Sequence, residues 1–113
     1  MSGISTHVLD LMLGRPAVGI TVRLERRDQG VWQRLAEQQT DADGRIKDAL
    51  PPGQPLESGC YRLGFETGTW FRGQGSNCFH PYIEIQFEVA DPSQHYHVPL
   101  LITPFSYSTY RGS

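Results

Sequence analysis

From Ile83 to Val89 the chain alternates without a break: Ile83, Ile85, Phe87 and Val89 are apolar, and Glu84, Gln86 and Glu88 between them are polar. Successive side chains on an extended strand point to opposite faces, so this segment reads as a strand with one face buried and the other in water. Ile20, Val22 and Leu24 repeat the pattern against Thr21, Arg23 and Glu25. Residues 31–35 follow as the next strand, after a turn at Asp28-Gln29-Gly30. Residues 4–9, 60–65, 95–103 and 105–110 also read as strands. Pro99 removes a ladder donor, which predicts a sheet edge or a bulge there. Turn chemistry separates these runs at Gly14-Arg15-Pro16, Asp41-Ala42-Asp43-Gly44, Pro51-Pro52-Gly53 and Asp91-Pro92-Ser93. Helix signals are scarce. Thr67–Gly73 can hold one short helix with Thr67 as N-cap, although Gly68 and Gly73 weaken it. Seven to eight short strands at regular spacing imply an antiparallel sandwich or barrel.

A length of 113 residues fits one domain over residues 1–113 and suffices to bury a core. Hydrophobic residues make up 38% and charged residues 19%, which is globular composition rather than disorder. A net charge of −2 argues against a nucleic-acid binder, which carries a basic stripe. Cys60 and Cys78 lack zinc-finger or Cys-x-x-Cys spacing, and the expectation is two reduced, buried thiols. The first residues have no basic region followed by an apolar one, no apolar run approaches the ~18 residues of a membrane span, and Arg111-Gly112-Ser113 is no peroxisomal address. The expected location is therefore cytoplasmic.

The familiar catalytic signatures are absent: no Gly-rich phosphate loop, no Gly-x-Ser-x-Gly elbow and no His-Glu-x-x-His. Four polar features remain. His7 shares a strand face with Leu9, opposite Thr6 and Val8, so it lies either at a surface or in a pocket. Arg45 follows the Asp/Gly turn at residues 41–44, where backbone holds it at a strand start; otherwise it is a solvated charge. His95 and His97, two apart in a strand, point to one face. That spacing also suits a metal site with His7 or His80, but no carboxylate stands at useful spacing to complete it. The apolar run Val98-Pro99-Leu100-Leu101-Ile102 beside His97 predicts partial desolvation and a neutral imidazole, suitable for a general base. Lastly, the chain stays aromatic and strand-like up to Tyr110, so the closing residues read as placed rather than frayed.

Together, Ser5-Thr6-His7-Val8-Leu9-Asp10, Gly14-Arg15-Pro16-Ala17, Asp43-Gly44-Arg45, His95-Tyr96-His97-Val98-Pro99-Leu100-Leu101 and Tyr110-Arg111-Gly112-Ser113 resemble the 5-hydroxyisourate hydrolases, also called transthyretin-related proteins. The resemblance spans essentially the whole chain, and the closing Tyr-Arg-Gly-Ser separates these hydrolases from transthyretin proper. It implies an all-β, transthyretin-like (prealbumin-like) antiparallel sandwich of two four-stranded sheets with one short helix. It implies a homotetramer with a central channel and active sites at the dimer–dimer interface. The implied reaction, part of urate catabolism, opens a ring amide of 5-hydroxyisourate to give 2-oxo-4-hydroxy-4-carboxy-5-ureidoimidazoline, with no metal and no cofactor. His7, Arg45, His97 and Ser113 would be catalytic. His7, Arg45, Tyr110, Arg111, Gly112 and Ser113 would bind substrate, and His95 would be structural or at the channel rim. Either His7 or His97 would be the base, and Ser113 would act through its hydroxyl or its carboxylate. Three other readings stand beside this one: a carrier of an aromatic ligand, a metal-dependent hydrolase using His95 and His97, and a sandwich serving protein interaction.

Overall fold

The computed structural model describes residues 3–113. Two sheets face each other. The first contains β1 (Gly3–Asp10), β2 (Arg15–Pro16), β5 (Arg45–Ile46), β8 (His95–Ile102) and β9 (Tyr107–Thr109). Its order is β2-β1-β8-β9, with β5 also pairing with β1. The second runs β4 (Val31–Gln39), β3 (Thr21–Asp28), β6 (Gly59–Phe65), β7 (Ile83–Val89). The first sheet thus has four strands along its path and a fifth, two-residue strand beside it. All pairings are antiparallel except β1 with β8, which is parallel over the full length of both strands. Strand periodicity carries no information about pairing direction, so nothing in the sequence announced this pair.

Alternate residues of each strand meet between the sheets. Ile4 and Val8 of β1 and Tyr96, Val98, Leu100 and Ile102 of β8 face Val22, Leu24, Tyr61, Leu63 and Phe65, all buried. The outer faces differ. The second sheet covers itself with paired charge: Arg62 Nε lies 2.7 Å from Glu25, and Arg23 lies 2.8 Å from both Glu37 and Glu66. Arg62 also sits over the Trp32 ring. Every ion pair found among the described residues involves Arg23, Arg26, Arg34 or Arg62, all on or beside this sheet. On the outer face of the first sheet, His7, Arg45, Lys47, His95 and His97 form no ion pair among the described residues.

Several local expectations need correction. The helix α1 (Thr67–Gly73) forms, but Glu66 is its N-cap residue and offers no side-chain cap. Thr67 is fully buried instead, and its hydroxyl donates to the His80 carbonyl at 2.6 Å. Gly68 belongs there because a Cβ would come 3.0 Å from the Pro81 backbone. Pro99 is not in an edge strand: β8 lies between β1 and β9. The His97 carbonyl accepts from the tail, so odd-numbered backbone groups of β8 face β9, and the donor that Pro99 lacks is missing on that side. The ladder lapses there, and Thr109 Oγ1 bonds the Pro99 carbonyl instead at 2.7 Å. β9 begins at Tyr107 rather than residue 105 because Thr103 Oγ1 accepts from the Phe105 and Ser106 amides and closes a turn. Cys60 and Cys78 are free thiols, half-buried rather than buried.

Candidate active site

The site lies where β5, β1 and β8 run side by side. On β1 the inward residues Ile4, Thr6 and Val8 are buried, and Ser5, His7 and Leu9 point outward. In register, His7 is opposite Arg45 of β5, and Ser5 is opposite His97 of β8. Residues directly opposite on neighbouring strands share a face. The fold thereby gathers on one outer surface residues that are about 40 and 90 positions apart in the chain.

Arg45 is placed by its turn. Asp41 Oδ1 accepts from the amides of Asp43 and Arg45, each at 2.9 Å, and the Gly44 amide donates to the Asp41 carbonyl. These bonds hold the Asp41 carboxyl below its usual range, the Arg45 amide contributing most. Gly44 has φ +74°, and a Cβ there would meet the Val8 carbonyl oxygen at 2.6 Å. Only glycine lets the turn approach β1 closely enough for the Val8 amide to donate to the Gly44 carbonyl.

The tail returns to the same face. The Gly112 amide donates to the His97 carbonyl at 2.8 Å, and the two residues form an isolated antiparallel bridge. Ser113 is thereby delivered to a cavity of about 280 Å³ that it shares with Ser5, Arg45, Lys47, His95 and His97. Ser5 Oγ lies 2.7 Å from both His95 Nε2 and His97 Nδ1. Burial lowers the His97 imidazole below its ordinary range, and positive charge at His7, Arg45 and His95 acts in the same direction.

Among the residues singled out from the sequence, Arg45, His97 and Ser113 line one cavity, and Gly112 anchors the tail that brings Ser113 there. His7 stands beside them, opposite Arg45 and near enough to His97 to influence its charge. Tyr110 and Arg111 are turned elsewhere. Arg111 lies over the Tyr96 ring and donates to Gln94 Oε1 at 2.9 Å. With Tyr110 it lines a separate, more apolar cavity of about 330 Å³ beside β7. Within one chain, then, Arg111 orders the tail rather than reaching the histidines.

His95 bonds Ser5 directly at 2.7 Å and lines the same cavity. His80, a possible metal ligand from sequence, lies instead between the rings of Phe79 and Tyr107. Among the described residues no group of three or more His, Cys, Asp or Glu is gathered as a metal site. Ser5 and Lys47 were missed. Ser5 was findable, because it lies two residues before His7 on the same strand face.

Fold and site together define an all-β sandwich with a polar, histidine-rich cavity on one outer face, suited to a small polar molecule. The chain belongs to the HIUase/Transthyretin family, whose match spans residues 4–112. It is 48% identical to the 5-hydroxyisourate hydrolase of Caulobacter vibrioides over 117 aligned positions, with all of both chains covered. The structure of Klebsiella pneumoniae 5-hydroxyisourate hydrolase matches with a TM-score of 0.87 at 42% identity, covering 100% of this chain and 94% of that one. Sea bream transthyretin in complex with thyroxine matches with a TM-score of 0.88 at 31% identity, covering 96% and 93%.

Proposed function

We propose that this chain is a 5-hydroxyisourate hydrolase, which opens a ring amide of that substrate to give 2-oxo-4-hydroxy-4-carboxy-5-ureidoimidazoline. Full-length similarity to named hydrolases supports the substrate. The observation that carries the chemistry is the half-buried His97 imidazole in one cavity with Arg45 and Ser113. An aromatic carrier would need an apolar wall, whereas this lining brings imidazole, guanidinium, ammonium and hydroxyl groups together beside a single aliphatic side chain, Ile46.

Amide hydrolysis needs an activated water, stabilisation of the tetrahedral oxyanion, and a proton for the leaving nitrogen. A neutral His97 takes a proton from water as hydroxide adds to the carbonyl carbon. The same proton then goes to the ring nitrogen as the C–N bond breaks. Arg45 offers a planar fork of N–H donors to substrate oxygens and to the developing oxyanion. His7, across from Arg45, binds substrate and is the second imidazole able to carry the proton. Ser113 orients water or substrate from the tail. Gly112 holds the tail, and Tyr110 and Arg111 align it.

In the same proposal four copies assemble with their outer faces toward one another, closing the sites in a central channel at the dimer–dimer interface. The open cavity on that face and the exposed side chains of Leu11, Met12, Leu13 and Phe105 support it. Sedimentation equilibrium should give four times the chain mass of 12.7 kDa.

The direct test generates 5-hydroxyisourate in place from urate with urate oxidase and follows its ultraviolet decay. Acceleration over the spontaneous rate that disappears in His97→Ala establishes substrate and site. A folded assembly that leaves the decay unchanged refutes the assignment.

A further inference from the structure

We infer that Ser5 is a positioning residue that sets the tautomer of His97 and couples its protonation to that of His95, whose Nδ1 edge lies on the same side as the Asp48 carboxylate. The inference rests on the hydrolase reading above and concerns how its base is prepared.

The Ser5 hydroxyl stands 2.7 Å from two imidazole nitrogens, His95 Nε2 and His97 Nδ1. A hydroxyl has one proton and two lone pairs, so with both rings neutral it donates to at most one nitrogen and accepts an N–H from at least one. Among the described residues the Ser5 hydroxyl has no other acceptor for its proton, so the two rings take opposite roles. Either His97 Nδ1–H donates to Ser5 and Ser5 donates to a bare His95 Nε2, or both bonds run the other way. In the first arrangement His97 Nε2 keeps its lone pair and is a base. In the second it carries a proton and cannot accept one. No hydrogen-bond partner for His97 Nε2 is present among the described residues, so the direction of the Ser5 bonds decides its state.

The surroundings of Gly3 favour one direction. A Cβ built at Gly3 would lie 3.3 Å from Asp48 Oδ1 and 3.4 Å from His95 Nδ1. The carboxylate and the Nδ1 edge of His95 therefore flank one small gap that glycine leaves open. Negative charge on that side favours the proton of His95 on Nδ1 and leaves Nε2 bare. Asp48 is itself fixed, because Oδ1 accepts from the Leu50 amide at 3.1 Å. The bare His95 Nε2 accepts from Ser5, Ser5 accepts from His97 Nδ1–H, and His97 Nε2 is left as the base.

The same chain moves charge in the reaction. As water gives its proton to His97 Nε2, His97 Nδ1–H passes its proton to Ser5 Oγ, and the Ser5 hydroxyl proton passes to His95 Nε2. His95, exposed to water and across the Gly3 gap from Asp48, becomes the imidazolium. Reversal of these transfers returns one proton to the leaving nitrogen, so nothing is consumed.

Long-range proton–nitrogen NMR of the histidine rings in the assembled protein at pH 8 tests this without substrate. The expected wild-type pattern is Nδ1–H with a bare Nε2 at His97. Ser5→Ala should lose that pattern and drift toward the Nε2–H form a free imidazole prefers, and Ser5→Thr should restore it. Asp48→Asn should weaken the Nδ1–H preference at His95. In turnover, Ser5→Ala should lower kcat about tenfold to a hundredfold with KM nearly unchanged. Its solvent isotope dependence should turn from curved to linear as the relay becomes a single transfer. An Nε2–H tautomer at His97 in the wild type, which needs no variant to fold, overturns the inference. So does a Ser5→Ala protein with unaltered ring-nitrogen signals. If 5-hydroxyisourate were left intact while the NMR pattern held, the substrate assignment would fail and the tautomer assignment would stand.

Discussion

The amide of Gly112 donates to the carbonyl of His97 at 2.8 Å, fastening the tail to the strand that carries the half-buried imidazole. A Cβ at Gly112 would lie 2.5 Å from His97 Cδ2. Gly112→Ala must therefore move either the tail or the ring. Turnover should fall at least tenfold while the thermal midpoint changes little, because the change lies outside the core. Paired ultraviolet-decay and thermal-melt measurements check this.

Extending the chain beyond Ser113 tests the same contact from the other side. Ser113 lines the cavity, so added residues must pass through it or pull the bridge apart. A C-terminal tag should depress activity, and its proteolytic removal should restore it. Full activity with the tag in place would show that the tail has no part in the reaction.

The His97 imidazole titrates below its ordinary value of 6.5, so it stays neutral to a lower pH than a free histidine. The acid limb of kcat/KM should fall below 6.5 accordingly. The sign follows from the causes: burial and neighbouring positive charge both disfavour the protonated ring. His7→Asn removes one of those neighbours, so the His97 midpoint, followed by NMR, should move upward. His97→Ala should lower turnover by on the order of 10²–10⁴ if this ring carries the proton.

Arg45→Lys keeps the charge and loses the planar fork. If Arg45 holds the developing oxyanion, kcat/KM should fall by about 10²–10³. An unchanged rate would limit its role to long-range attraction.

Gly44→Ala forces a side chain into a left-handed backbone and against the Val8 carbonyl. It should cost about 1–3 kcal/mol in urea unfolding. Because the same turn aims Arg45, substrate affinity should weaken as well.

Alternation at Ile83–Val89 and at residues 20–25 made those strands readable, because half-buried strands repeat every second residue. The one short helix was readable from its position, yet its cap was not. Thr67 had a competing partner in the His80 carbonyl, and that partner exists only in the folded chain. The tail was legible up to a point. A single bridge ties Gly112 to His97, while Arg111 lies over Tyr96, and sequence likeness alone had placed both at the substrate.

By itself the sequence determined which residues face inward on each strand, since pleat geometry is local and its signal lies between neighbours. It also determined the turn that starts β5, where Asp41 and Gly44 act within five residues. Tertiary structure alone decided that β1 and β8 pair in parallel and in the register that sets Ser5 opposite His97. It also decided that β5 sets Arg45 opposite His7. Register between distant strands is fixed by the joint packing of both sheets, and no residue carries that information in its own neighbourhood.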